Sequence, residues 1–314
     1  MNTRSRRQFL SGALSAGAAL TALRSGMGGS AHAVEAFSRA GKPRLLLSLA
    51  AYSFRQFFED GNRDAPSVEV SRRLDMFRFI DFCADHGCAG AELTSYYFPK
   101  SLDRDYLLRV KRHAFLRGIA VSGTAVGNTF THPAGEKREE QIAHVKQWIE
   151  HAAVLGAPHI RVFAGGAPQG MDKAEAKRLC IAALEECGEA AGRHGIFLGL
   201  ENHGGIVAEA DDLLEIVCAV RSPWIGINLD SGNFRSDDPY ADLARCAPYT
   251  VNAQIKVEVQ PRGKPKEATD LERVIRILRD ANYQGYVALE YESAEDPWVA
   301  VPRYLRQMKP LLAG

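Results

Sequence analysis

Four phrases in the second half of the chain each carry an apolar, β-rich run up to a side chain capable of chemistry. LGLENHGG reaches Glu201, IGINLDSGNF reaches Asp230, NAQIKVEV carries Gln254 and Lys256, and VALEYE reaches Glu290. Carboxylates gathered in one place repel one another and lose hydration, and a cation relieves both costs. Oxygen donors from Glu201, Asp230, Gln254 and Glu290 suit a hard or borderline divalent ion, Mn²⁺ or Mg²⁺ first and Zn²⁺ or Co²⁺ after them. Such an ion, bridging a carbonyl and the neighbouring hydroxyl, polarises the carbonyl and stabilises the enediolate left when a proton departs from the adjacent carbon. Lys256 shares a strand face with Gln254, because two residues along a strand restore the side. It is placed to hold a substrate carbonyl or oxyanion, or to pair with a carboxylate inside the fold.

Weaker candidates surround these. His203, two residues beyond Glu201, is placed to bond a substrate oxygen or orient a ligand. Glu92 in CAGAELTSYYF and Arg161 in IRVFAGG end earlier β-rich runs, where they line a site or join a buried ion pair. Tyr52, Phe54, Tyr96, Phe98 and Phe163 follow the same runs and offer flat faces for a ligand, although packing alone also recruits aromatics.

The elements that must position these residues follow one repeated unit, a short β-rich run, a loop and a helical pattern. Strands are predicted at 45–52, 89–93, 119–123, 159–163, 197–201, 225–230, 251–257 and 286–290. Between them, segments 71–87, 104–118, 137–156 and 173–195 show apolar spacing of three and four residues and end at Gly87, Gly118, Gly156 and Gly195, the usual helix stop. Strict alternation calls for a parallel sheet, and eight units match a closed α/β barrel, a single (β/α)8 TIM barrel, over residues 44–314. No glycine-rich dinucleotide or phosphate loop opens the first helix: SFRQFFEDGNRDAPS stands there instead.

The chain has 314 residues, 46% of them hydrophobic and 25% charged, with a formal net charge of +1. That balance excludes disorder and provides no global field for nucleic acid. The first 33 residues differ: Arg4, Arg6, Arg7 and Arg24 stand there without one Asp or Glu. Ser5-Arg6-Arg7-Gln8-Phe9-Leu10, the apolar LSGALSAGAALTAL and the small-residue site Ala31-His32-Ala33 form the three parts of an export signal of twin-arginine type. The apolar stretch is shorter than the ~20 residues of a spanning helix and is diluted by Gly, Ser and Thr. The expectation is therefore cleavage after residue 33, no stable membrane insertion, a periplasmic or exported protein, and a polar lead-in over 34–43. The six cysteines fall mostly within helical patterns and show no metal-type pair.

From about Leu45 to the C-terminus, the pattern and the phrases GLENHGG, NLDSGNF, QIKVEV and GYVALEYE resemble the xylose isomerase-like TIM-barrel superfamily of sugar phosphate isomerases and epimerases. The resemblance implies a metal held by a Glu on strand five, an Asp on strand six, a His on strand seven and a Glu on strand eight. By position these are Glu201, Asp230, Gln254 and Glu290, with Gln254 departing from the family's His. It also implies that Glu201 and Glu290 exchange protons with the carbon beside a carbonyl from opposite sides of the substrate. The DNA-repair endonuclease branch, built on several zinc-binding histidines, is not matched by His132, His159 and His203, so no nucleic-acid partner is expected.

The resulting expectation is a divalent-metal-dependent sugar isomerase or epimerase. Its rivals are a lyase or dehydratase on a keto-sugar or keto-glycoside, and a non-catalytic carbohydrate-binding barrel. The partner is a small-molecule sugar, and the resemblance implies a homo-oligomer. Substrate choice is expected from the loops after strands one and three and from PRGKPKEATD after strand seven.

Overall fold

A computed structural model describes residues 34–61 and 67–313. The export signal expected over residues 1–33 lies outside the described residues, as do residues 62–66 in the loop after the first strand. Eight parallel strands close into one barrel: β1 (Arg44–Ala50), β2 (Gly90–Thr94), β3 (Ala120–Ala125), β4 (His159–Val162), β5 (Phe197–Glu201), β6 (Ile225–Asp230), β7 (Thr250–Ile255) and β10 (Gln284–Leu289), with β10 joining β7 to β1. Each predicted strand is present, with ends moved by one or two residues. The stretch after β7 forms a small antiparallel pair, β8 (Glu258–Val259) with β9 (Glu267–Ala268).

Among the described residues, eight α-helices pack outside: α1 (Met76–Asp85), α2 (Arg104–Leu116), α3 (Glu136–Leu155), α4 (Lys173–His194), α5 (Ala210–Ala219), α6 (Pro239–Cys246), α7 (Leu271–Asp280) and α8 (Pro297–Ala313). Aspartates start five of them. Asp75, Asp103, Asp172, Asp238 and Asp270 each accept a hydrogen bond from a first-turn backbone N–H, satisfying donors that have no partner within the helix. The Asp75 cap explains why α1 begins at Met76 instead of at residue 71, a stretch that includes a separate 3-10 turn, Val70–Arg72. Gly156 and Gly195 end α3 and α4 in the left-handed conformation, which a side chain would strain. Among the described residues, no helix is long and apolar enough to cross a membrane.

The strands sort their side chains by alternation. Leu49, Leu93, Ile160, Leu198, Leu200, Ile227, Ile255 and Leu289 are buried in the apolar core. The alternate residues Ser48, Glu92, Asn228, Asn252, Gln254 and Glu201 are just as buried and are polar. Apolar branched residues fill most barrel interiors; this one is wired with hydrogen bonds. Glu92 accepts from Asn252 Nδ2 at 2.8 Å and Gln254 Nε2 at 2.6 Å, Gln254 Oε1 accepts from Asn228 at 2.5 Å, and Asn252 Nδ2 also donates to Asn228 Oδ1 at 2.8 Å. The ring closes on itself. Register shifts at Ala91/Glu92 and at Ile227/Asn228 fall at two of its members, as expected where a bulge re-aims a side chain.

Candidate active site

The strand C-termini open into a cavity of about 480 Å³ lined by Tyr52, Tyr96, Arg161, Phe163, Glu201, His203, Lys256, Glu290 and Glu292. A second cavity of about 540 Å³ shares His203, Lys256 and Glu292 with it and reaches Arg235 and Lys266.

Glu201, the last residue of β5, is held at both oxygens: Arg161 Nε lies 2.9 Å from Oε2 and Asn233 Nδ2 donates to Oε1 at 2.8 Å. Arg161 also donates to the Val126 carbonyl at 2.9 Å and lays its guanidinium 3.9 Å from the Phe163 ring centre. His203 packs against Phe163, 4.4 Å between ring centres. Asn202 locks β5 to β6, accepting from the Asp230 N–H and donating to the Asp230 carbonyl, both at 2.9 Å. Gly205 admits the neighbouring loop, because a Cβ there would meet the Gly165 carbonyl at 2.4 Å.

Lys256 sits among acceptors. Its Nζ is 2.9 Å from Asn233 Oδ1, 3.1 Å from Glu292 Oε1 and 3.3 Å from Asp230 Oδ2. Asp230 Oδ1 accepts the Gly232 N–H at 2.8 Å, whereas its Oδ2 has no hydrogen bond. Glu290 Oε2 is also buried without a hydrogen-bond partner.

These contacts set the protonation states. Burial pushes the Glu201 carboxyl up to about 7, with Arg161 opposing and Asp230 reinforcing the rise. Burial likewise raises Glu290 well above the usual carboxylate range, against the pull of Lys256. Burial on its own would lower Lys256, but Asp230, Glu290, Glu292 and Glu201 together hold it well above its ordinary value, so it stays an ammonium. Burial, then the Lys256 and Arg161 charges, lower His203, which is neutral at pH 7.

The structure thus brings Glu201, Glu290, Lys256, His203, Arg161 and Phe163 to one cavity, with Asp230 against Lys256. Other expected site residues lie elsewhere. Gln254 turns its amide into the interior ring, where Glu92 and Asn228 take both ends, so its oxygen is not directed at a metal. Glu92 belongs to the same ring and is fully buried instead of lining the mouth. Phe54 ends a 3-10 turn, Ala51–Phe54, that swings its ring into the core, 4.9 Å from both Phe82 and Trp298. Phe98 packs on Trp148, 5.3 Å between centres. Asn233 and Glu292 are among the cavity residues that escaped the sequence reading, although each stood inside a quoted phrase, three residues after Asp230 and two after Glu290.

The donor set does not fit the four-ligand metal centre expected from the sequence. Gln254 is committed elsewhere, Glu201 accepts from Asn233 at one oxygen and is ion-paired with Arg161 at the other, and Asp230 faces an ammonium. Among the described residues, no three His, Cys, Asp or Glu side chains converge as metal ligands would.

A closed parallel barrel with acids at the C-terminal ends of its fifth, sixth and eighth strands defines a (β/α)8 protein with its site at the strand C-termini. More narrowly, the chain belongs to the family described as xylose isomerase-like TIM barrel, whose model matches residues 80–308. An inosose isomerase of Halalkalibacterium halodurans is 26% identical over 236 residues, 69% of this chain and 82% of that one. Among solved structures, D-psicose 3-epimerase with D-tagatose from Clostridium cellulolyticum H10 superposes with a TM-score of 0.65 at 15% identity, covering 83% of this chain and 89% of that chain. An IolI protein with a bound zinc atom superposes with a TM-score of 0.66 at 18% identity, covering 85% and 96%.

Proposed function

We propose that the protein is a sugar isomerase or epimerase that acts through an enediolate, with Glu201 and Glu290 as the acid/base pair. The carrying observation is that two buried carboxyls with raised pKa values line one small cavity together with a buried ammonium. A carboxylate whose pKa lies near the working pH is a suitable base and, once protonated, a suitable acid. The likeness to an inosose isomerase supports a cyclic or open-chain keto-sugar as substrate.

In this reading the substrate carbonyl points at Lys256, and Phe163 and Tyr96 flank the sugar. One glutamate takes the proton on the carbon beside the carbonyl. The C–H electron pair becomes the C=C bond of the enediol, and the carbonyl π pair moves onto oxygen beside the Lys256 ammonium. The second glutamate delivers a proton to the former carbonyl carbon while the hydroxyl proton passes to the former carbonyl oxygen and the hydroxyl carbon becomes the new carbonyl, giving an isomer. Alternatively, it delivers a proton to the opposite face of the carbon that lost one as the enolate oxygen re-forms the carbonyl, giving an epimer. Glu290 Oε2 has no protein hydrogen-bond donor to displace, which suits it to the first transfer. Arg161 and Asn233 fix Glu201 for the second.

The test is solvent deuterium uptake, followed by NMR, across ketoses, inososes and keto-glycosides. Exchange with rearrangement is expected, lost in Glu290→Gln. Exchange with loss of a substituent makes the protein a lyase, and saturable binding without exchange makes it a carbohydrate-binding barrel.

A further inference from the structure

Building on the enolisation reading, we propose that Lys256 is the working cation of this site and that the protein needs no divalent ion. Three independent features of the geometry converge on it. First, the strand-seven side chain at the expected ligand position, Gln254, is spent: its oxygen accepts from Asn228 and its nitrogen donates to Glu92, and it is 1% exposed. Freeing it would leave the Glu92 carboxylate and the Asn228 amide short of partners inside the barrel, where such groups are costly.

Second, the two carboxylates expected beside it already have positive charge at contact. Arg161 meets Glu201 at 2.9 Å and Lys256 meets Asp230 at 3.3 Å. A divalent ion entering between them would face two fixed cations and would have to displace the Arg161 charge and the Asn233 donor from Glu201.

Third, the Lys256 ammonium is itself coordinated. Asn233 Oδ1 accepts from it at 2.9 Å, while Glu292 Oε1 and Asp230 Oδ2 face it as ion-pair partners at 3.1 and 3.3 Å. An ammonium has three N–H donors; one is taken by Asn233, the flanking Glu292 and Asp230 charges hold the group in place, and a donor remains for a substrate oxygen in the cavity it lines. A buried, pre-aimed ammonium performs the service asked of a metal here, which is to stabilise charge growing on the carbonyl oxygen. Asp230 and Glu292 then act as positioning residues, since they work through Lys256.

The experiment uses the full-length protein, stripped on a chelating resin and assayed for metal by mass spectrometry. Calorimetric titration with Mn²⁺ and with Zn²⁺ alone is expected to show no stoichiometric binding at the site; a one-to-one site lost in Asp230→Asn would overturn the proposal whether or not a substrate has been found. On a substrate that exchanges deuterium, the stripped enzyme is expected to keep its full rate with chelator present. Lys256→Met should lose about 10²–10³-fold in kcat, with no rescue by added Mn²⁺ or Zn²⁺, and Lys256→Arg should recover part of it. Loss of exchange on chelation, restored by one equivalent of ion, refutes the cation assignment and leaves the enolisation reading standing. Absence of exchange with every substrate refutes the enolisation reading, and the metal titration still decides the cation.

Discussion

Replacing Arg161 with Met is the sharpest probe of how the cavity sets its proton chemistry. Arg161 Nε lies 2.9 Å from Glu201 Oε2, and both side chains are almost wholly buried. At that separation and an effective dielectric of about 20, the attraction is about 6 kcal/mol. Desolvation of both ions offsets much of it, and removing one partner of such a buried pair costs about 3–5 kcal/mol. For a domain of this size that is on the order of 10 °C in melting temperature. The same change acts on Glu201, whose carboxyl already stands near 7 because burial outweighs the guanidinium. If only a third of the attraction survives relaxation, its loss moves Glu201 up by about 1.5 pH units. Because Glu201 delivers the second proton, the limb of kcat/KM that falls with rising pH, near pH 7 in the wild type, should therefore move beyond pH 8 in Arg161→Met. Arg161→Lys, which keeps a charge but loses the planar fork, should fall between the two. Removing both charges in Arg161→Met with Glu201→Gln should restore stability relative to Arg161→Met alone, although activity is gone. Urea denaturation with a double-mutant cycle and a pH–rate profile are the assays. A limb that stays near pH 7, or stability losses that simply add, would refute the coupling.

Linkage gives a related expectation for the wild type: the Glu201 value is raised in the folded state from the ordinary 4.5 to about 7, so the folded chain holds this proton more tightly. Its contribution to stability is favourable at low pH and declines as pH rises from about 4.5 through about 7, a slope that Glu201→Gln should remove from denaturation curves taken across that range. Phe54→Ala should cost about 3–5 kcal/mol through the cavity it opens among Phe57, Phe82 and Trp298, with KM unchanged in the fraction that remains folded; a selective rise in KM would return Phe54 to the substrate. Gln254→Met should destabilise by about 2–4 kcal/mol, measured by urea titration, since Glu92 loses a donor and Asn228 loses an acceptor; an unaltered midpoint would contradict the interior ring. A reporter fused to residues 1–40 should be exported, and Arg6→Lys with Arg7→Lys should abolish that export in a fractionation assay.

The barrel was legible because its rules are local. Alternation along LGLE or INLD separates core from interior within five residues, and Asp caps start five of the helices while Gly stops end α3 and α4. The acids at the ends of β5 and β6 and just after β10 were visible for the same reason, each being the first ionisable side chain after an apolar run. Parity, however, treats Gln254 and Lys256 alike: both point inward from β7, and nothing within NAQIKVEV tells which reaches the mouth. That depends on Glu92, 162 residues away in sequence from Gln254, and on closure of β1 against both β10 and β2. Phe54 was misplaced by a similar limit, because the turn that follows β1 breaks the alternation from which its direction was read. The residues misjudged from sequence are thus those whose partners arrive only when the barrel closes. Gln254 and Lys256 are the most consequential of them: a neutral amide drawn into the interior ring leaves the mouth to the lysine, and with it the question of which cation meets the substrate.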